Sequence, residues 1–370
     1  KRCLVGSEMC IRDRHYCQRF GFKIVLNETS QLLSDSVEKI FSDHVTKDCI
    51  ISAEKGEWPQ SLWNEVIENG LNLVLVPENL GGVGGSWFDA GILFKAIGRY
   101  QAPIPLAENI VAGYLLGLGE VPFPENSVIT LLDGELQLSD NKLSGVSNRT
   151  PFGNHSTHGV AIISDNNKSK LVLVPILDNS KSDDKNIALE SRSNIEFKNV
   201  EVLHVIDVDF SSDLLLKIGA LMRSCQIAGG LESLLDQSVR YANERIQFGR
   251  PIAKFQAIQQ ELAVLATHVA ASGVAADYAS SSMDDGEDDL AIASAKSRVD
   301  DAISICASIA HQVHGAIGFT YEHGLHFSTR RLWSWRAEYG SGSYWAKILG
   351  EKAVSNGANN FWPSITSGKI

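Results

Sequence analysis

Apolar side chains recur at helical spacing along most of the chain and give way to short β-branched runs only in its middle. From Glu28 onward, Leu32, Leu33, Val37 and Ile40 share one face, and from Pro59, Leu62, Trp63, Val66 and Ile67 do the same as far as Gly70. A further helix is expected from Phe88 to Tyr100. Between residues 121 and 208 the apolar runs 127–133, 160–164, 171–175 and 201–208 are separated by Asn, Asp, Gly and Ser, a pattern of strands and turns. Helical spacing returns from Leu214 to Asn243 through Ile218, Leu221, Met222, Cys225, Leu231, Leu235, Val239 and Ala242. It resumes through Phe255, Ile258, Leu262, Leu265 and Val269, and again through Ile292, Ala295, Val299, Ile303, Cys306 and Ala310. Leu332, Trp335, Tyr339, Trp345, Ile348 and Leu349 then complete a four-helix bundle. The expected fold is α+β and mainly α: a helical domain over 24–118, a small β-barrel or sandwich over 119–208, and a C-terminal bundle with a tail over 209–370. Residues 1–23 show no helical period and are set aside as a disordered or non-native extension.

The corner between the first two bundle helices, RIQFGRPIAKFQAIQ, carries the densest chemistry. Gly249 ends one helix, and Arg250-Pro251 fits the start of the next. Arg245, Gln247 and Gln256 gather hydrogen-bond donors there, and an arginine fork suits a phosphate. The same residues would also serve as a solvated helix turn.

Charge and composition narrow the field. A formal net charge of -11 without a basic cluster argues against a nucleic-acid surface. No run approaches the roughly 20 apolar residues of a membrane span. Six scattered cysteines point to a reducing, cytoplasmic compartment. Cys3, Cys10 and Cys17 with His15 lack the tight pairing of a metal site, so no metal is expected. Gly81, Gly82, Gly84 and Gly85 form neither phosphate-loop nor dinucleotide fingerprint and read as a plain loop. The acidic stretch Asp284–Asp289 reads as a solvated loop feeding negative charge to the next helix. His311, His314, His323 and His326 read as turn or interface histidines.

The corner motif RIQFGRPIAKFQAIQQELA resembles the signature of the acyl-CoA dehydrogenases. Two further stretches support the resemblance in order and separation: ALMRSCQIAGGLE before the motif, and HQVHGAIGFT, similar to the family's second nucleotide-binding turn. Similarity is specific over 214–350, weaker over 50–118, where PENLGG and PIPLAENIVAGYLL resemble family loop and helix segments, and poor over 119–208. The resemblance implies FAD held across subunits. Arg245 and Gln256 would reach the flavin nucleotide of a neighbouring subunit, with Phe248 packed nearby. Gln312, Val313, His314, Gly315 and Ala316 would lie against the same dinucleotide, and the turn from Tyr339 through Gly340 and Ser341 to Ser343 would approach the flavin of its own subunit. It also implies an acyl-CoA substrate, an electron-transfer flavoprotein as acceptor, and a homo- or hetero-tetramer with another acyl-CoA dehydrogenase subunit.

Two departures stand out. The family's middle domain offers Thr-Glu-Pro, Ala-Gly-Ser-Asp and Trp-Ile-Thr stretches to the flavin; the first is missing here, and Arg149-Thr-Pro-Phe152 replaces the last. In the family a carboxylate removes the α-proton of the thioester while hydride leaves the β-carbon for the flavin. The two positions that supply that carboxylate are Gly219 and Gly340 here, leaving Glu338, one residue displaced, and Glu322 as weak candidates. Three readings stay open: a base-lacking subunit of a heteromeric enzyme such as those acting on steroid side-chain thioesters, a self-sufficient dehydrogenase with a displaced base, and a flavin-free helical scaffold.

Overall fold

A computed structural model describes residues 27–165, 168–177, 180–286 and 289–367. The N-terminal extension, with Cys3, Cys10, Cys17 and His15, lies outside the described residues.

The first helical block comprises α1 (Glu28–His44), α2 (Lys47–Glu54), α3 (Gln60–Glu68), α4 (Trp87–Tyr100) and α5 (Leu106–Leu118). Val37, Ile40 and Phe41 of α1 are buried, whereas Leu32, expected on the same face, is 65% exposed. Helix α2 has too short an apolar pattern to be anticipated; Thr46 caps it by accepting from the Cys49 N–H. The glycine loop before α4 spends its backbone donors internally. The N–H groups of Gly82, Val83, Gly84 and Gly85 donate to the carbonyls of Pro77, Leu73, Val76 and Val74, so none is left to cradle a phosphate.

Among the described residues, two four-stranded sheets follow. One has the order β1 (Ile129–Leu131), β4 (His158–Asp165), β5 (Lys168–Pro175), β8 (His204–Val208); the other has β2 (Gly134–Ser139), β3 (Lys142–Pro151), β7 (Arg192–Glu201), β6 (Lys181–Ser182). Of these described strands, only β1 and β4 pair in parallel. The sequence pattern marks the first sheet and misses β2, β3 and β7, because those strands alternate polar and half-buried residues on a solvated face.

The second helical block contains α6 (Asp213–Glu244), α7 (Gln256–Asp285), α8 (Asp289–His314), α9 (Leu325–Arg336), α10 (Gly342–Asn356) and α11 (Ala358–Ser367). Every residue of α6 from Ile218 to Leu231 is buried, because α6 is the central helix, covered by α4, α7, α8 and α9. Val239, expected on its buried face, is 39% exposed. α4 and α6 cross backbone to backbone: a Cβ at Gly98 would overlap the Gln226 carbonyl, and one at Gly229 the Lys95 carbonyl. Lys95–Glu232 (3.6 Å) and Arg99–Asp236 (2.8 Å) rivet the same crossing, and Lys95–Asp277 (3.1 Å) ties α4 to α7.

α6, α7 and the segment Asp289–Phe319 have the length and mean hydropathy, 1.2 to 1.3, to cross a membrane, although no continuous apolar run marks them in the sequence. The apolar window of α6 is 83% buried inside the protein, while that of α7 is only 33% buried and leaves Val264, Val274 and Tyr278 on the surface. The acidic stretch also acts otherwise than expected. Asp284 belongs to the last turn of α7, and its carboxylate accepts from the N–H groups of Trp87 (2.7 Å) and Phe88 (3.1 Å), capping α4 from the opposite block.

Candidate functional site

The corner motif forms a projecting arm. α6 ends at Arg245; Ile246–Gln247 then pairs with Arg250–Pro251 in a two-residue hairpin whose turn residues, Phe248 and Gly249, both have positive φ, 51° and 77°. Pro251 therefore lies in a strand, and α7 begins only at Gln256, after a 3-10 turn at Ile252–Lys254. Phe248 is 92% exposed, and the Arg250 guanidinium sits 4.2 Å above the Phe255 ring. Arg245 and Gln256 are exposed, and neither side chain has a hydrogen-bond or ion-pair partner among the described residues. Phe248 touches only the arm itself, edge-on to Phe255 at 6.1 Å between centroids, and an arginine, a glutamine and a phenylalanine held out from the body in this way are poor stabilisers of this chain and well placed for something outside it.

The turn after α8 is joined to the root of this arm by Tyr241, whose ring stacks on His314 with centroids 4.6 Å apart. Gln312, Gly315 and Ala316 face outward there. Val313 and His314 are turned into the protein, so those two expected cofactor contacts are limited to their backbone.

The end where the family's base positions fall is organised differently. Glu338, in the turn after α9, directs one carboxylate oxygen to Arg192 Nε (2.9 Å) and Nη2 (2.8 Å), and the other to Arg223 Nε (2.6 Å). Arg223 donates onward from Nη2 to Glu108 Oε1 (2.8 Å) and from Nη1 to Gln226. Arg192 continues to Glu190 (3.1 Å), which also accepts from Asn186 and from the Trp335 indole (3.1 Å) and pairs with Arg331 (3.3 Å). The result is a buried ladder, Glu108–Arg223–Glu338–Arg192–Glu190–Arg331, that ties α5, α6, β7 and α9 together. Burial pushes the Glu338 carboxyl up, but the two guanidiniums outweigh it and hold its pKa at about 2. A carboxylate that deep in charge, with both oxygens bonded, has no basicity to offer a substrate. Glu322 is exposed at a separate cleft beside Lys47.

Both expected base positions are glycine for a steric reason. A Cβ at Gly219 would overlap the Tyr339 ring, and one at Gly340, where φ is 86°, would stand 2.7 Å from the Trp345 indole nitrogen. The Tyr339 ring fills the space that a side chain at 219 would need. Its carbonyl is fixed by Trp345 Nε1 (2.9 Å), and Ser341 caps α10.

Only Leu132 and Asp133 link β1 to β2, and Asp133 N–H is bonded to Ser147 Oγ (3.1 Å). In the replaced segment, Arg149 has φ 53°, its N–H is held by Asn194, and Thr150 is buried against Ser147. A cavity of about 260 Å³ bounded by Trp58, Phe152, His155, Lys185, Glu190 and Arg331 ends against the ladder; neither it nor the cleft near Lys47 touches Gly219 or Gly340.

Comparison with known proteins places this architecture. Residues 27–121 match the acyl-CoA dehydrogenase N-terminal domain and residues 213–351 the acyl-CoA dehydrogenase C-terminal domain. The chain belongs to the acyl-CoA dehydrogenase family. The dehydrogenase IpdE2 of Mycobacterium tuberculosis is 26% identical over 325 residues, covering 82% of this chain and 91% of that protein. The dehydrogenase FadE34 of the same organism is 30% identical over 71% of this chain and 38% of its own length. Among solved structures, the ChsE4–ChsE5 complex of Mycobacterium tuberculosis superposes with a TM-score of 0.81 at 21% identity, covering 89% of this chain and 98% of that one. That likeness establishes the fold.

FAD is the cofactor of this acyl-CoA dehydrogenase family. This chain fits it in one half only. The free guanidinium of Arg245, the Gln256 amide, Phe248 and the Gln312 turn suit a dinucleotide presented from outside. The ring end does not fit, because the family's Thr-Glu-Pro stretch is missing from the middle domain, and the Tyr339–Gly219 contact and the Arg192–Glu338 pair occupy the ground between β7, α6 and the 338–341 turn.

Proposed function

We propose that this dehydrogenase chain is the base-lacking subunit of a heteromeric, FAD-dependent enzyme that introduces an α,β double bond into an acyl-CoA thioester, in the cytoplasm and with an electron-transfer flavoprotein as acceptor. The observation that carries the reading is the Glu338 carboxylate, locked between Arg192 and Arg223 while Gly219 and Gly340 leave no other carboxylate at the family's base positions. A flavin, when bound, supplies the hydride acceptor; the α-proton must then leave to a carboxylate of another polypeptide. This chain's part is to grip. Arg245 offers a fixed fork to the diphosphate, Gln256 and Gln312 offer amide donors, and Gly315 and Ala316 let backbone approach the nucleotide. The Tyr339–Ser341 turn, closed on α6, would act as a wall. Two proteins of the same fold lend support: ChsE4–ChsE5 is a complex of two different polypeptides, and Tcur3481–Tcur3483 is a steroid acyl-CoA dehydrogenase pair. The self-sufficient alternative has no available base among the described residues at those positions, and a flavin-free scaffold would have no use for an unpaired arginine on a projecting arm.

The arm supplies a direct test. Arg245→Ala removes an exposed side chain that makes no hydrogen bond or ion pair among the described residues, so its stability is expected to stay within about 0.5 kcal/mol of the wild type by chemical denaturation. Flavin retention by the assembled enzyme is expected to fall at least about tenfold, the cost of one charge-assisted contact to phosphate. Unchanged flavin retention would remove the nucleotide from the arm.

A further inference from the structure

His311, His314, His323 and His326 crowd the segment that carries the nucleotide turn. His311 stacks on Phe319 with centroids 4.2 Å apart, His314 on Tyr241 at 4.6 Å, and His323 stands edge-on to His314 (4.5 Å) and Tyr241 (5.7 Å). His326 lies against Phe327 (4.2 Å) and Tyr321 (4.6 Å). Two ring nitrogens are engaged: His314 Nδ1 donates to the Ala310 carbonyl (2.7 Å), and His311 Nε2 meets Thr329 Oγ1 (3.1 Å). His311 Nδ1, His314 Nε2, His323 Nδ1 and both nitrogens of His326 are buried without a hydrogen-bond partner among the described residues. His314 is 3% and His326 8% exposed.

The surrounding charges favour neutral rings. His323 faces Arg240 and Glu244 from α6 and Lys47 from α2; His326 faces Arg330 from α9, His311 from α8 and Lys47; His314 faces only His323 and His311. Glu244 alone among these opposes the cations, and the Thr320 carbonyl leans toward a charged His326 without closing a hydrogen bond. Burial is the leading cause in all four rings and lowers every one, His314 and His326 to about 4. A proton arriving on His314 Nε2 would create a buried N–H and a charge with no acceptor beside it.

We propose that the four histidines are an acid-sensitive latch on the Gln312–Ala316 turn: uncharged, they hold it stacked against α6, and protonation releases residues 311–327. The functional half of this inference rests on the nucleotide role given to that turn above. The closed form binds fewer protons than the opened one. Its stability is therefore complete above the ordinary histidine value near 6.5 and is lost as pH falls from there toward about 4.

Hydrogen exchange of the full chain at pH 7 and pH 5, corrected for the intrinsic pH dependence of exchange, reads the opening of residues 311–327 directly. The opening constant is expected to rise on the order of tenfold for each of His314 and His326, and the rise to shrink to the smaller part left by His311 and His323 in the double variant His314→Phe, His326→Phe, which keeps aromatic rings in place. Because the pH 5 to pH 7 ratio is the readout, a variant that is merely less stable still reports. NMR titration should place both imidazoles below 6.5. An equal ratio in wild type and variant, or imidazoles titrating at or above 6.5, overturns the latch. In the assembled enzyme, acid loss of flavin that the double variant reduces supports the coupling. Flavin retention that ignores pH while the turn opens overturns the coupling and, separately, the placement of the nucleotide on this turn.

Discussion

Glu338→Ala is expected to cost about 3 kcal/mol of folding stability. Removing one partner of a buried ion pair costs about 3–5 kcal/mol because it strands the opposite charge, and the lower end applies because Glu190 and Glu108 still face the two arginines. Glu338→Gln keeps the shape and loses the charge, so it should fall between wild type and alanine. The carboxyl is held at about 2 against an ordinary value of 4.5, so its contribution is complete above pH 4.5 and disappears as pH falls toward 2. Denaturation curves at pH 6, 4 and 3 should converge for wild type and Glu338→Gln. A displaced catalytic base would behave oppositely, with glutamine abolishing turnover and leaving stability nearly unchanged.

Gly219→Glu is expected to destabilise the chain by about 2 kcal/mol rather than restore a base. Forcing a side chain into the Tyr339 ring costs about 1–3 kcal/mol or more, while replacing glycine inside a helix returns about 0.5–1 kcal/mol. Adding Tyr339→Ala should recover most of the loss, because the two substitutions share one space and are not additive. Thermal denaturation of both single variants and the double closes this cycle; additive losses would mean that the ring and the glycine are independent.

Much of the helical architecture was legible because apolar residues keep helical spacing in α1, α3, α6 and α8, and the arm because its motif is contiguous. The ladder was not legible, since its members come from five separate segments and no local period announces a long-range ion pair. One signal was available: Arg223 and Glu108 each interrupt an apolar run that has to be buried, and a buried charge needs a partner. β2, β3 and β7 were lost because a solvated sheet face gives half-polar strands. Pro251 lies in a strand rather than at the expected helix start; a hairpin turn and a helix start use the same Gly-x-Pro punctuation. The inward turn of Val313 and His314 follows from α8 continuing to His314, which a family motif read as a loop does not show.

The central claim is that this chain completes another subunit's flavin site and has none of its own that works. The most direct measurement is flavin content per polypeptide together with acyl-CoA oxidation by an artificial electron acceptor, for the chain purified alone and after co-expression with neighbouring dehydrogenase genes. The account predicts a chain that is inactive alone, and a mixed assembly whose activity survives Glu338→Gln and is lost when the partner's base carboxylate is removed. A lone chain that holds one FAD per polypeptide and oxidises acyl-CoA would contradict it.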